Sequence, residues 1–255
     1  MAWNSREGAP YSLRTVLKQL DDRGIELPDT VTEKVARLER IEAERPAEPE
    51  HTALHDAILA GADRAELDRL LLDELGSQRL RSSYAQATLT AASSGLSALR
   101  KARDEIHPQL AELADDAINK LCRIEALGSV SLDQLVRTGR HEEARLYADR
   151  ELIGAELHTL YEIRDLYLVP GGTGALNVGH FNCGQWRDPT AVSNHLHGQT
   201  VSENYILGLR AGGVLWYPTL DEAVEAAGPL YEAWEREARK AAERQRSVGG
   251  ITAFG

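Results

Sequence analysis

Four side chains between positions 180 and 197 are of types that bind metal. His180-x-x-Cys183 sets an imidazole and a thiol at a spacing that zinc sites use, and His195-x-His197 would point both rings one way on an extended strand. One Zn²⁺ closing the four would hold together a glycine-rich segment that has few apolar side chains of its own. A structural ion would use all four ligands. A catalytic ion would leave one position open to water, with Asp188 or Glu203 as the nearby base. The competing reading is that Phe181 and Trp186 pack while the histidines face solvent.

Other candidate chemistry is thinner. Gly171-Gly172-Thr173-Gly174-Ala175 is glycine-rich, yet it has neither the G-x-G-x-x-G of a dinucleotide fold nor the G-K-[ST] of a phosphate loop. It also follows helical sequence rather than a strand, so a loop between domains is the expectation. No serine-nucleophile motif occurs. Cys122 falls in a helical stripe, where a buried, inert thiol is expected. The carboxylate pairs Asp115-Asp116 and Glu142-Glu143 read as solvated helix faces. Arg236, Arg239, Lys240 and Arg244 alternate with Glu235, Glu237 and Glu243, a pattern of intrahelical ion pairs. No residue is assigned a catalytic role, and no cofactor other than the zinc is implied.

Helices must position whatever these residues do. Leu96, Leu99, Ile106, Leu110 and Leu113, continuing to Ala117, Leu121 and Ile124, recur at steps of three and four once Arg103 stands in the seam. This stripe predicts a long helix, roughly 43 Å at about 1.5 Å per residue, that buries itself in a bundle or against another copy of the chain. Leu146, Ile153, Leu157, Leu160 and Tyr167 give a second helix, expected to lie antiparallel to the first. Ser93-Ser94-Gly95 should loosen the run, and Pro108 should kink it or open a new helix.

Elsewhere the punctuation predicts short helices. Leu13, Val16, Leu17 and Leu20 form one ended near Gly24, and a second starts at Asp29 or Thr30 after Pro28. A third is expected from about His51 to Gly61. Asp63 and Glu66 have capping-box spacing and open a helix striped by Leu67, Leu70, Leu71 and Leu75 that Gly76 should end. Ser131 caps another, which stops at Thr138-Gly139. Beyond Val169 the helical period lapses. Tyr205–Leu209 and Val214–Tyr217, joined through Gly212-Gly213, read as a β-hairpin. Thr219-Leu220-Asp221-Glu222 is a capping box launching a helix that Gly228-Pro229 should break before a charged last helix. The expected class is therefore mainly α: a helical bundle or coiled-coil-like hairpin followed by a small α+β unit. The expected segments are 1–49 (short helices), 50–168 (bundle), 169–246 (α+β unit) and 247–255 (tail).

The 255-residue chain carries a net charge of −11, which argues against duplex nucleic acid or an anionic membrane as partner. Its 42% hydrophobic content suffices for a core, and no run reaches the ~18 apolar residues of a membrane span. Two distant cysteines and the absence of an apolar leader suggest a reduced, cytoplasmic setting.

Arg140-His141-Glu142-Glu143-Ala144 resembles the turn and second-helix start of a tetratricopeptide unit. No copy recurs at a 34-residue period, so an ordinary helical hairpin is the expectation. In layout the whole chain resembles helix-rich virion or assembly proteins of tailed phages and prophages, which implies a place in a head, connector or tail. The functional expectation is a non-enzymatic structural protein that oligomerises or bridges to other proteins. The alternatives are a small metal-dependent enzyme or regulator centred on 170–218, and an intracellular helical adaptor.

Overall fold

The computed structural model describes residues 8–47, 53–169, 177–178, 181–192 and 195–249. They are mainly helical and fall into two compact units, residues 1–102 and 103–255, a division distinct from the expected 49/50 and 168/169 boundaries.

The first unit is built on one helix. α4 (Arg64–Lys101) runs 38 residues, and α1 (Ala9–Asp21), α2 (Asp29–Ala43) and α3 (Ala53–Ala60) pack against it. Asp63 caps α4 as expected, its carboxylate accepting from the Glu66 amide at 2.9 Å. Leu13, Val16 and Leu20 of α1 and Val31 and Leu38 of α2 bury against the C-terminal part of α4, where Ala91, Ala92, Leu96 and Leu99 face inward. Of the small residues expected to loosen α4, Gly95 serves packing instead. A Cβ on Gly95 would stand 2.6 Å from a methyl of Leu13, so glycine here is what lets α1 lie close. Gly76 does not end the helix; it sits mid-helix with open space where its side chain would be.

The expected long stripe is divided. α4 stops at Ala102 and α5 (Arg103–Ala126) begins at once, so Leu96 and Leu99 belong to one unit and Ile106 and Leu110 to the other. Within α5 the buried face is Ile106, Leu110, Ala114, Ala117, Leu121 and Ile124, with Leu113 only half-buried beside it. Pro108 opens no new helix. It lies inside the second turn, near enough to the start that few backbone bonds depend on it.

α6 (Leu132–Arg137) and α7 (His141–Ala148) lead to α8 (Arg150–Glu162), which packs on α5. α8 continues as a π-helical turn, Ile163–Leu168, closed by the Val169 amide donating to the Arg164 carbonyl at 3.0 Å. A two-residue antiparallel pairing joins β1 (Asn177–Val178) to β2 (Phe181–Asn182).

The hairpin expected at 205–217 is not present. Val201–Arg210 is a helix, α9, and Trp186, not Tyr205–Leu209, pairs with Leu215 across an antiparallel bridge. Thr200 explains the difference. Its hydroxyl accepts from the Glu203 amide while the Glu203 carboxylate accepts from the Thr200 amide, a full capping box ahead of a buried Ser202, Tyr205 and Ile206 stripe. α10 (Leu220–Gly249) opens on the Thr219–Glu222 box as expected but passes through Pro229 without breaking.

Candidate functional site

The metal-ligand candidates divide three ways. His180 lies outside the described residues. Cys183 is fully buried beside Ala227 and Leu230, and burial pushes its thiol pKa up. His195 and His197 are exposed in a turn rather than on an extended strand, the His197 amide donating to the His195 carbonyl. Among the described residues, no three histidine, cysteine or acidic side chains gather to hold a metal ion. The two carboxylates considered as bases are engaged locally. Asp188 accepts from the Thr190 amide at 3.0 Å, and Glu203 accepts from the Gln199 amide at 2.7 Å. Cys122, expected to be buried, is exposed on α5.

What the sequence reading passed over is Arg164. A guanidinium is almost never fully buried without partners, yet this one is 1% exposed. The π-helical turn, a feature often found at functional positions, carries it inward. Its Nε donates to Asp165 at 2.7 Å and its Nη1 to the Gly184 carbonyl at 2.8 Å. The guanidinium carbon lies 5.1 Å from the ring centre of Tyr161 and 4.9 Å from that of Tyr217, within cation–π range. Those two rings stack at 5.6 Å, and their hydroxyls donate to the carbonyls of Trp216 and Leu160. Burial pushes the pKa of both phenols well above the ordinary tyrosine value, so both hydroxyls stay protonated donors.

Among the described residues, three polar atoms of this cluster are buried without a partner: Arg164 Nη2, His107 Nε2 and the Tyr205 hydroxyl. Two of those residues, Arg164 and His107, line one cavity of about 40 Å³. His107 sits 5.3 Å from the Tyr217 ring and hydrogen-bonds the Pro218 carbonyl. Desolvation lowers its pKa from the ordinary 6.5, so the ring is neutral near pH 7 and Nε2 presents a lone pair. Arginine, tyrosines and histidine far apart in sequence gave no local signal. Only the odd Arg164-Asp165 pair inside an apolar helical stripe hinted at it.

The first unit carries a surface feature instead. No residue from Ala53 to Ala87 is buried. Leu59 of α3 is 75% exposed, and Leu72, Leu75 and Leu80 of α4 are 68%, 51% and 50% exposed. Leu67 and Leu70 are half-buried on the side facing α3, where Leu54, Leu70, Glu74, Ser77 and Arg81 line a groove of about 410 Å³. Isolated exposed leucines are ordinary, whereas a clustered run along two adjacent helices is the mark of an interaction surface.

Together these features define a mainly helical protein with an apolar arm in one unit and an enclosed polar cluster in the other. Comparison with protein-family models, curated proteins and solved structures returned no match to the chain. No helix among the described residues is long and apolar enough to cross a membrane.

Proposed function

We propose that this chain is an assembly protein that works by self-association, with the α3–α4 arm as the joining surface. The observation that carries the reading is the exposed leucine run on that arm, which the chain's own core does not use. At ~100° per residue, Leu72, Gly76, Leu80 and Ser83 fall within about 80° of one another on α4, with Leu80 at the edge that also lines the groove beside Leu70, Glu74 and Arg81. A second copy suits this face. An antiparallel twofold centred on Gly76 sets Leu72 opposite Leu80 and Asp73 opposite Arg79, each twice, as an isologous contact requires. It also gives Gly76 a purpose. A mid-helix glycine costs ~1 kcal/mol against alanine, and none of the described residues lies where its side chain would be. A partner helix crossing closely there would need the space. Virion or assembly components of the phage kind, which the layout resembles, join protomers through such surfaces.

Light scattering and sedimentation of the full chain test this. Wild type should associate in a concentration-dependent way, and Leu72→Asp should yield a folded monomer. Each buried leucine contributes about 1.5–3 kcal/mol and enters twice by symmetry, so the dissociation constant should rise about a hundredfold or more. Gly76→Ala should stabilise the isolated helix yet weaken association. Leu110→Asp is the contrast: it strikes the core of the second unit and should unfold that unit. A wild type that stays monomeric at every accessible concentration overturns the proposal.

A further inference from the structure

We propose that the partly open cavity between α5, the π-helical turn and the start of α10 binds a small oxyanion, a carboxylate or phosphate group, together with one proton. The cavity volume of about 40 Å³ is several times the ~10–15 Å³ a single water needs on the same measure, and suits a group of that size. Arg164 supplies the cation. Its Nε and Nη1 are engaged, and the nitrogen left over, Nη2, is buried with no partner among the described residues, in a side chain 1% exposed. The first turns of α5 and α10 meet the same cavity through Asp104, Leu220 and Asp221. First-turn amides have no intrahelical acceptor and carry the positive end of the helix dipole, so both helices favour an anion there. The acidic side chains do not occupy the place: Asp104 accepts from Arg103 Nε at 3.2 Å, and Asp221 is exposed.

His107 supplies the proton. With Nδ1 given to the Pro218 carbonyl, the free Nε2 is an acceptor in the neutral ring and cannot hydrogen-bond an oxyanion. Protonated, it becomes a second donor beside Arg164. The charged and titratable groups around it are Asp104 on its own helix, Arg164 on the π-helical turn, and Glu222 on α10, while the Tyr217 ring packs on it. Asp104 and Glu222 favour the imidazolium, whereas burial and Arg164 oppose it. The guanidinium is already paired with Asp165, so a bound oxyanion tips that balance by adding a further negative charge beside the ring. Anion binding therefore raises the His107 pKa, and affinity strengthens by up to about tenfold per pH unit as pH falls between the bound and free values.

The test is an NMR titration of the full chain with ¹⁵N-labelled histidine, using sodium acetate and inorganic phosphate separately against sodium chloride at equal ionic strength. His107 is assigned with His107→Gln. His107 should shift saturably, with its titration midpoint raised, while exposed His195 and His197 follow ionic strength alone. Saturation by acetate only assigns a carboxylate ligand, and saturation by phosphate only assigns a phosphate. In His107→Gln the saturating anion should still raise the melting temperature, but without the pH dependence. A His107 signal that merely tracks His195 and His197 with both anions overturns the proposal, as does pH dependence that survives in His107→Gln. Neither result depends on the state of association, so this site and the α3–α4 arm stand or fall separately.

Discussion

At the scale of single residues, the second unit keeps its costliest groups in one place. Arg164 is buried among tyrosine faces, and His107 beside it is held neutral by desolvation. The histidine has a consequence for stability. Its folded pKa lies below the ordinary 6.5, so between the two values the unfolded chain binds more protons than the folded one. The His107 contribution is therefore fully retained above about pH 6.5 and is lost as pH falls through the folded pKa. Thermal melts across that window, in a buffer free of phosphate and carboxylates, should show wild type losing stability on acidification more steeply than His107→Gln. Equal slopes would mean that the ring is not desolvated in the folded state.

At the scale of elements, caps outweigh composition. Tyr205-Ile206-Leu207 has β-forming residues, yet the Thr200–Glu203 box starts a helix four residues earlier, at Val201, and the chain follows the cap. That T-x-x-E signature was open to reading, as the matching boxes at Asp63 and Thr219 were. Close helix approach completes α9: a Cβ on Gly154 of α8 would stand 2.5 Å from Ser202 Cβ, and one on Gly208 would stand 2.3 Å from the indole of Trp186. Thr200→Ala should cost about 1 kcal/mol by losing the cap, and Gly154→Ala about 1–3 kcal/mol by forcing α8 and α9 apart. Chemical denaturation monitored by circular dichroism would measure both. A neutral Gly154→Ala would contradict the close contact.

At the scale of the whole molecule, the two units have separate internal organisation. The first is a long helix with shorter ones laid along it, and the second has its own core from Ile106 through Ala227. Residues 103–255 expressed alone should melt cooperatively and keep the low His107 titration midpoint, since every group that sets it lies within that unit. A fragment lacking a cooperative transition, or with His107 titrating near 6.5, would show that the second unit depends on the first. The proline-bearing segment 45–50 and the glycine-rich segment 170–174, which composition marks as boundaries open to proteolysis, fall largely outside the described residues.

Local chemistry was enough for the sequence to determine most helices by itself. Apolar spacing of three and four gave the buried faces of α1 and α5, side-chain caps gave the starts of α4, α6 and α10, and glycines such as Gly61 and Gly139, at φ of 75° and 74°, gave the stops. Those signals act within a few residues, and so they are visible in a string of letters. Tertiary structure alone decided the rest. A periodic stripe does not say which partner it meets, so Leu99 and Ile106 looked continuous although a helix break and a unit boundary separate them. Hydrophobicity does not say which leucines stay outside, so Leu71 and Leu75 read as part of a packing stripe although both are exposed. Arg164, His107, Tyr161 and Tyr217 come together only because α5, α8 and the segment before α10 pack, and the burial that gives them their chemistry is a property of that packing.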